Sequence, residues 1–99
     1  MAVNRLLGKT VLITGASSGI GRSTAFHFAR SSPSSLQLVL TARRLDRLQK
    51  ISKEIQDEVG TGVKIFAKQL DVSRPEEVEG LIPSLPEEFR GIDVLVNNA

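Results

Sequence analysis

Thr10-Val11-Leu12-Ile13-Thr14-Gly15-Ala16-Ser17-Ser18-Gly19-Ile20-Gly21 is the stretch that decides the fold. Thr10 to Thr14 is a short run of β-branched and aliphatic residues ending on a glycine, the pattern of a buried strand. A helix is expected from near Gly19, with Ile20, Ala25, Phe28 and Ala29 on its inner face and a stop in the Ser/Pro cluster of residues 31–35. The glycines have G-x-x-x-G-x-G spacing. This is not G-x-G-x-x-G, because Thr24 takes the third place after Gly19 and Gly21, and not a Walker loop, because Ile20 stands five after Gly15. Every glycine of the loop still has a physical reason to be there. Gly15 turns the chain out of the strand, Gly19 lets backbone approach a phosphate, and Gly21 lets the helix lie close to the sheet. Free N–H groups at the helix start, that of Ile20 among them, then face an anion. Ser17 and Ser18 add hydroxyl donors.

Working outward, residues 36–42 form a second apolar strand. Leu45, Leu48, Ile51, Ile55 and Val59 recur at spacings of three and four, which predicts an amphipathic helix of about four turns capped by Gly60. Residues 63–70 alternate and then turn apolar, as a strand near a sheet edge would. Ser73 and Glu76 have the spacing of a capping box opening a third helix, with Val78, Leu81, Ile82 and Leu85 along one face and Pro83 and Pro86 closing it early. Residues 92–98 make a fourth strand. Helices alternating with apolar strands demand right-handed parallel crossovers. The expected fold is therefore α/β, half of a doubly wound Rossmann sheet with strand order 3-2-1-4, in one domain over residues 1–99. The fourth strand is apolar on both faces and would ordinarily pair further, so the chain is expected to be a truncated half-domain.

Composition narrows the chemistry. There is no Cys and one His in 99 residues, which excludes disulfides and thiolate metal sites and leaves little for any metal cage. No apolar run approaches the ~20 residues that span a bilayer, and the start lacks a signal-peptide core, so a cytoplasmic protein without a membrane partner is expected. Charge is uneven. Residues 1–50 carry eight basic residues against one acid, a net of +7, while residues 51–99 carry five against ten, a net of −5. The positive half favours a polyanion, either nucleic acid or a dinucleotide with an extra phosphate. With 4% aromatics and neither Trp nor Tyr, a base-stacking platform has little to stand on, and no nucleic-acid partner is expected. Phe26, Phe66 and Phe89 are expected to pack, and His27 to lie on the exposed face of the first helix.

Thr14 to Gly21 resembles the TGxxxGxG signature of the short-chain dehydrogenases/reductases. The resemblance continues through residues 38–44 (LVLTARR), Leu70-Asp71-Val72 and Val96-Asn97-Asn98-Ala99, so it covers the chain from Gly8 to Ala99. It implies that Gly15, Ser17, Ser18, Gly19, Ile20 and Gly21 form the loop for a pyrophosphate and ribose. It also implies that Asp71 accepts a hydrogen bond from an adenine amino group beside backbone contacts from Val72. By the same resemblance Asn98 lies near the adenosine ribose and Asn97 braces the sheet.

A dinucleotide site that prefers NAD places a carboxylate at the end of the second strand, for the ribose 2′-OH. Here that stretch reads Thr41-Ala42-Arg43-Arg44, and Asp46 lies beyond it. A guanidinium suits a 2′-phosphate instead, through a fork of charged hydrogen bonds. The expected cofactor is NADP(H), read first by Arg43 and second by Arg44; in the alternative, Arg43, Arg44 and Arg47 form only a solvated basic face. In the resembled family the catalytic Ser, Tyr and Lys follow the asparagine motif, and this sequence contains no Tyr. The intact parent is thus expected to transfer hydride between NADP and an alcohol or carbonyl small molecule, as a homo-oligomer, while the 99-residue chain alone is inactive. Residues 85–99 and the double Arg are similar to NADP-dependent dehydrogenases of 3-hydroxy acids. The rival expectation is a noncatalytic nucleotide-binding or interaction module.

Overall fold

A computed structural model describes residues 8–17 and 19–98. Four parallel strands, β1 (Lys9–Ile13), β2 (Leu36–Ala42), β3 (Val63–Gln69) and β4 (Val94–Val96), stand in the order β3-β2-β1-β4. This is the 3-2-1-4 order expected from the alternation of strands and helices. Helix α1 (Gly19–Ser31) follows β1, α2 (Leu45–Val59) follows β2, and two short helices, α3 (Pro75–Glu79) and α4 (Leu81–Ser84), lead with a 3₁₀ turn over Glu87–Phe89 to β4. None of the described helices is long and apolar enough to cross a membrane.

Strand side chains alternate between faces, and the core divides accordingly. Val11, Ile13, Leu36, Leu38 and Leu40 pack against Ala25, Phe26 and Ala29 of α1 and Leu48, Ile51 and Ile55 of α2. Leu12 and Val39 meet Leu70, Leu81, Leu85 and Phe89 on the other face. The periodicity of α2 is that of its buried stripe, and the helix stops where the Gly60 N–H donates to Gln56 O at 2.9 Å.

Three segments depart from expectation. Ile20 does not face the core: it is 75% exposed. Gly21 is the buried residue of that turn, and one residue is a rotation of about 100°, which carries Ile20 outward. Phe26 is the buried phenylalanine of α1, while Phe28 is only partly buried against the core.

Second, Ser73 and Glu76 form no capping box; no side chain caps α3. The Ser73 hydroxyl donates to Asp71 Oδ1 at 2.6 Å instead, and Glu77 Oε1 accepts the Asp71 N–H at 3.2 Å. The helix opens one residue later than expected, with Arg74 at the N-cap position and Ser73 before it, and the serine is held back toward Asp71.

Third, the helix expected after Ser73 is broken at Gly80, so one apolar stripe is not maintained. Leu81 and Leu85 are buried while Val78 and Ile82 are exposed. The fourth strand is also shorter than residues 92–98. At its start Asp93 exchanges bonds with Thr10, the Thr10 N–H donating to Asp93 Oδ2 and the Asp93 N–H to Thr10 O, both 2.9 Å. At its end the Asn98 N–H donates to a side chain, Thr14 Oγ1, rather than to the ladder.

Candidate functional site

The C-terminal ends of the parallel strands open into a cleft of ≈ 580 Å³ between the loop after β1, the end of β2 and the segment after β3. Ligands of open α/β sheets gather at this edge, where connections to helices on opposite faces leave a crevice. Gly15, Ser17, Arg43, Arg44, Asp71 and Asn98 all line it, so six of the residues singled out by sequence converge on one space.

The glycine loop explains how the backbone reaches that space. Gly15 and Gly19 have φ of 61° and 58°, the left-handed region that other residues adopt only with strain. A Cβ on Gly19 would meet nothing within 4 Å, so the helix start presents open backbone. At Gly21 the opposite holds: a Cβ there would collide with the Gly15 carbonyl and stand 2.8 Å from Asn98 Nδ2. Gly21 thus lets α1 begin directly under the loop, with the Asn98 amide donating to Gly15 O at 3.4 Å. Gly19, Ile20 and Gly21 border the cleft as the first turn of α1 without lining it, and the Ile20 side chain lies on a separate shallow surface with Gly19, Ser23, Thr24 and His27. Ser18 lies outside the described residues.

At the far end of the cleft the charge is positive. Arg43 directly follows β2, its carbonyl held by Gln69 Nε2 at 3.1 Å, and its guanidinium has no hydrogen-bonded or ion-paired partner among the described residues. Arg44 by contrast faces Asp46, with Nη2 to Oδ2 at 3.3 Å. Asp71 stands opposite. The Ser73 hydroxyl first, then its N–H and the charges of Arg74 and Arg43, hold the Asp71 carboxyl below the usual carboxylate range. Asp71 is therefore an anionic acceptor at neutral pH, facing a cation across the cleft.

Sequence reasoning missed three contributors. Thr14 is a hub whose hydroxyl accepts the Asn98 N–H at 2.9 Å and donates to Asn97 Oδ1 at 3.0 Å, which gives Asn97 its place as a brace. Thr41 is buried in the cleft wall, with Oγ1 3.3 Å from Ile13 O, and its carbonyl accepts the Ala16 N–H at 3.0 Å. A lone Thr inside an apolar strand carried the signal for it. Arg47, which the sequence placed only in the alternative of a solvated basic face, also lines the cleft, and its position one helical turn after Arg44 could have pointed to it.

The short chain dehydrogenase family matches residues 9–99. The chain is 48% identical over 97 residues to an NADP-dependent 3-hydroxy acid dehydrogenase of Schizosaccharomyces pombe, covering 98% of this chain and 36% of that protein. It is 43% identical to sulfoacetaldehyde reductase 2 of Chromohalobacter salexigens, over 90% of this chain and 32% of the relative. Among solved structures, L-sorbose reductase from Gluconobacter frateurii, complexed with NADPH and L-sorbose, superposes with a TM-score of 0.84 at 38% identity, covering 97% of this chain and 35% of that one. A short-chain dehydrogenase from Sphingobium yanoikuyae in complex with NADPH gives 0.75 at 44% identity, over 92% and 34%. The chain spans about a third of the length of the relatives it matches. Its glycine loop, its sheet order and this match over nearly every residue agree, and the chain belongs to the short chain dehydrogenase family.

Proposed function

We propose that this chain is the NADP(H)-binding portion of an oxidoreductase acting on an alcohol or carbonyl group. The observation that carries the reading is Arg43, a guanidinium without a hydrogen-bonded or ion-paired partner among the described residues at the mouth of the cleft, at the strand end where an NAD site would hold a carboxylate. The site fits the cofactor on its own geometry: open backbone at Gly19, a helix start seated under Gly15 by the bare Gly21, and opposed Arg43 and Asp71. Gly15, Ser17, Ser18 and the N–H groups of Gly19, Ile20 and Gly21 would hold the pyrophosphate and its ribose. Arg43 would hold the 2′-phosphate, Asp71 the adenine amino group, and Asn98 the adenosine side. NADP, when bound, supplies or accepts the hydride.

Hydride transfer also needs a proton source aligned with the reacting carbon. The sequence holds no Tyr, the family's acid/base, so we assign the 99 residues binding and not turnover. For the whole protein we propose a 3-hydroxy acid as substrate, supported by the relative of that name, and a cytoplasmic homo-oligomer, supported by the cysteine-free composition and the family resemblance.

Titrating NADPH and NADH against the wild type and Arg43→Ala tests the cofactor reading. A charge-assisted hydrogen bond contributes about 1.5–3 kcal/mol. Arg43→Ala should therefore weaken NADPH roughly 10- to 100-fold and leave NADH nearly unchanged. Equal losses for the two cofactors would overturn the assignment.

A further inference from the structure

Arg43, Arg44 and Arg47 share the rim of the cleft, but they are not equivalent cations. Arg44 reaches Asp46 with two prongs, Nε to Oδ1 at 3.4 Å and Nη2 to Oδ2 at 3.3 Å. The hydrogen bond from Arg44 is also the leading cause that holds the Asp46 carboxyl below its usual range. Arg44 and Asp46 thus act as a neutral unit, and a neutral unit offers a phosphate dianion a dipole rather than a charge. Were Arg44 to leave Asp46 for a phosphate, it would leave an unpaired carboxylate nearby, and like charges repel. Arg47 lies on the first turn of α2, is exposed, and makes no ion pair among the described residues. It has no ion-paired carboxylate among the described residues, and it already lines the cleft.

We propose that Arg47, and not Arg44, is the second specificity-determining residue beside Arg43 for a phosphate monoester on the ribose, and that Asp46 neutralises the charge of Arg44 at the rim. The proposal rests on the NADP reading above and gives Arg47 the second place that the sequence alone suggests for Arg44.

Two small probes separate the proposal from that reading: 2′,5′-ADP, which carries the 2′-phosphate, and 5′-AMP, which does not. Calorimetric titration of the wild-type chain should show tighter binding of 2′,5′-ADP. Arg47→Ala should weaken 2′,5′-ADP about tenfold or more and 5′-AMP less than about twofold. The double variant Arg44→Ala/Asp46→Asn removes the pair without changing net charge and should move neither probe by more than about twofold. Loss of 2′,5′-ADP binding in the double variant equal to that in Arg47→Ala would overturn the proposal while sparing the NADP reading. Equal losses of both probes in Arg47→Ala would also overturn it, because the arginine would then not be reading the phosphate. A wild type that does not distinguish the probes would remove the NADP reading and this proposal together.

Discussion

Thr14 binds Asn98 across the mouth of the sheet: the backbone N–H of Asn98 donates to the Thr14 hydroxyl oxygen at 2.9 Å, and that hydroxyl donates onward to Asn97 Oδ1 at 3.0 Å. The two strands pair through only Val11, Leu12 and Ile13 against Val94, Leu95 and Val96, so the threonine extends a short ladder with side-chain bonds. Thr14→Val preserves shape and removes both bonds. It should lower unfolding stability by about 1–3 kcal/mol, the net contribution of two part-buried hydrogen bonds, whereas Thr14→Ser should keep most of it. Urea denaturation midpoints measure the difference, and a valine variant as stable as wild type would show that water replaces the hydroxyl without loss.

Gly21 is expected to tolerate no side chain. A Cβ there collides with the Gly15 carbonyl, which is backbone and cannot rotate away, and approaches Asn98 Nδ2 to 2.8 Å. Overpacking of this kind costs about 1–3 kcal/mol or more. Gly21→Ala should lower the melting temperature and shift the amide resonances of Gly15 and Asn98 together, since α1 must lift from the loop. At Gly19 there is open space but a φ of 58°, so Gly19→Ala should cost only local strain and leave the Asn98 resonance in place. If Gly21→Ala left both resonances unmoved, the close seating of α1 would be wrong.

The strand order and α2 were legible because alternation and a three-four spacing report burial directly, and the side chains of Leu48, Ile51 and Ile55 obey them. Ile20, Val78 and Ile82 defeated the same logic. Whether an apolar residue in a helical pattern points inward depends on where the helix is pinned: Gly21 pins α1, and the break at Gly80 lets the segment after it turn. In the site, Arg43, Asp71 and Asn98 were legible because each closely follows a strand, and parallel strands bring their C-terminal ends together. The bridging of Thr14, the Asp71–Ser73 bond and the difference between Arg44 and Arg47 were not, because they depend on which of several nearby polar groups pair.

Phe26 joins α1 to α2 by a mixture of burial and charge. Its ring is buried, with the guanidinium carbon of Arg22 4.7 Å and that of Arg30 5.1 Å from the centroid. Those arginines pair with Glu54 and Glu58 of α2, but the pairs are surface pairs: the Arg22 and Glu54 side chains are 43% and 40% exposed. Burial should dominate. Phe26→Ala should cost about 3–5 kcal/mol and Glu54→Gln less than about 1 kcal/mol, read from urea denaturation. Comparable costs for the two would mean that the ion pairs, not the ring, hold the helices together.

Asp71 sets an acid-side dependence whose sign follows from its partners. Oδ1 accepts from the Ser73 hydroxyl at 2.6 Å and the Ser73 N–H at 3.0 Å, and these bonds, ahead of the charges of Arg74 and Arg43, favour the ionised form. The folded-state pKa is therefore depressed below the unfolded one, and in the window between them the unfolded chain binds more protons. The stabilisation from Asp71 is fully present above the unfolded value and is lost as pH falls through the folded value, on the acid side of the ordinary carboxylate range. Ser73→Ala removes the leading cause and leaves the N–H bond. A carbon-13 NMR titration of the Asp71 carboxyl should show its midpoint move up toward the ordinary value in Ser73→Ala, and move up by less in Arg43→Ala, because Arg43 acts only through its charge across the cleft. A larger movement in Arg43→Ala would reverse that ranking and make the field of the cleft, not the serine, the group that keeps Asp71 ionised.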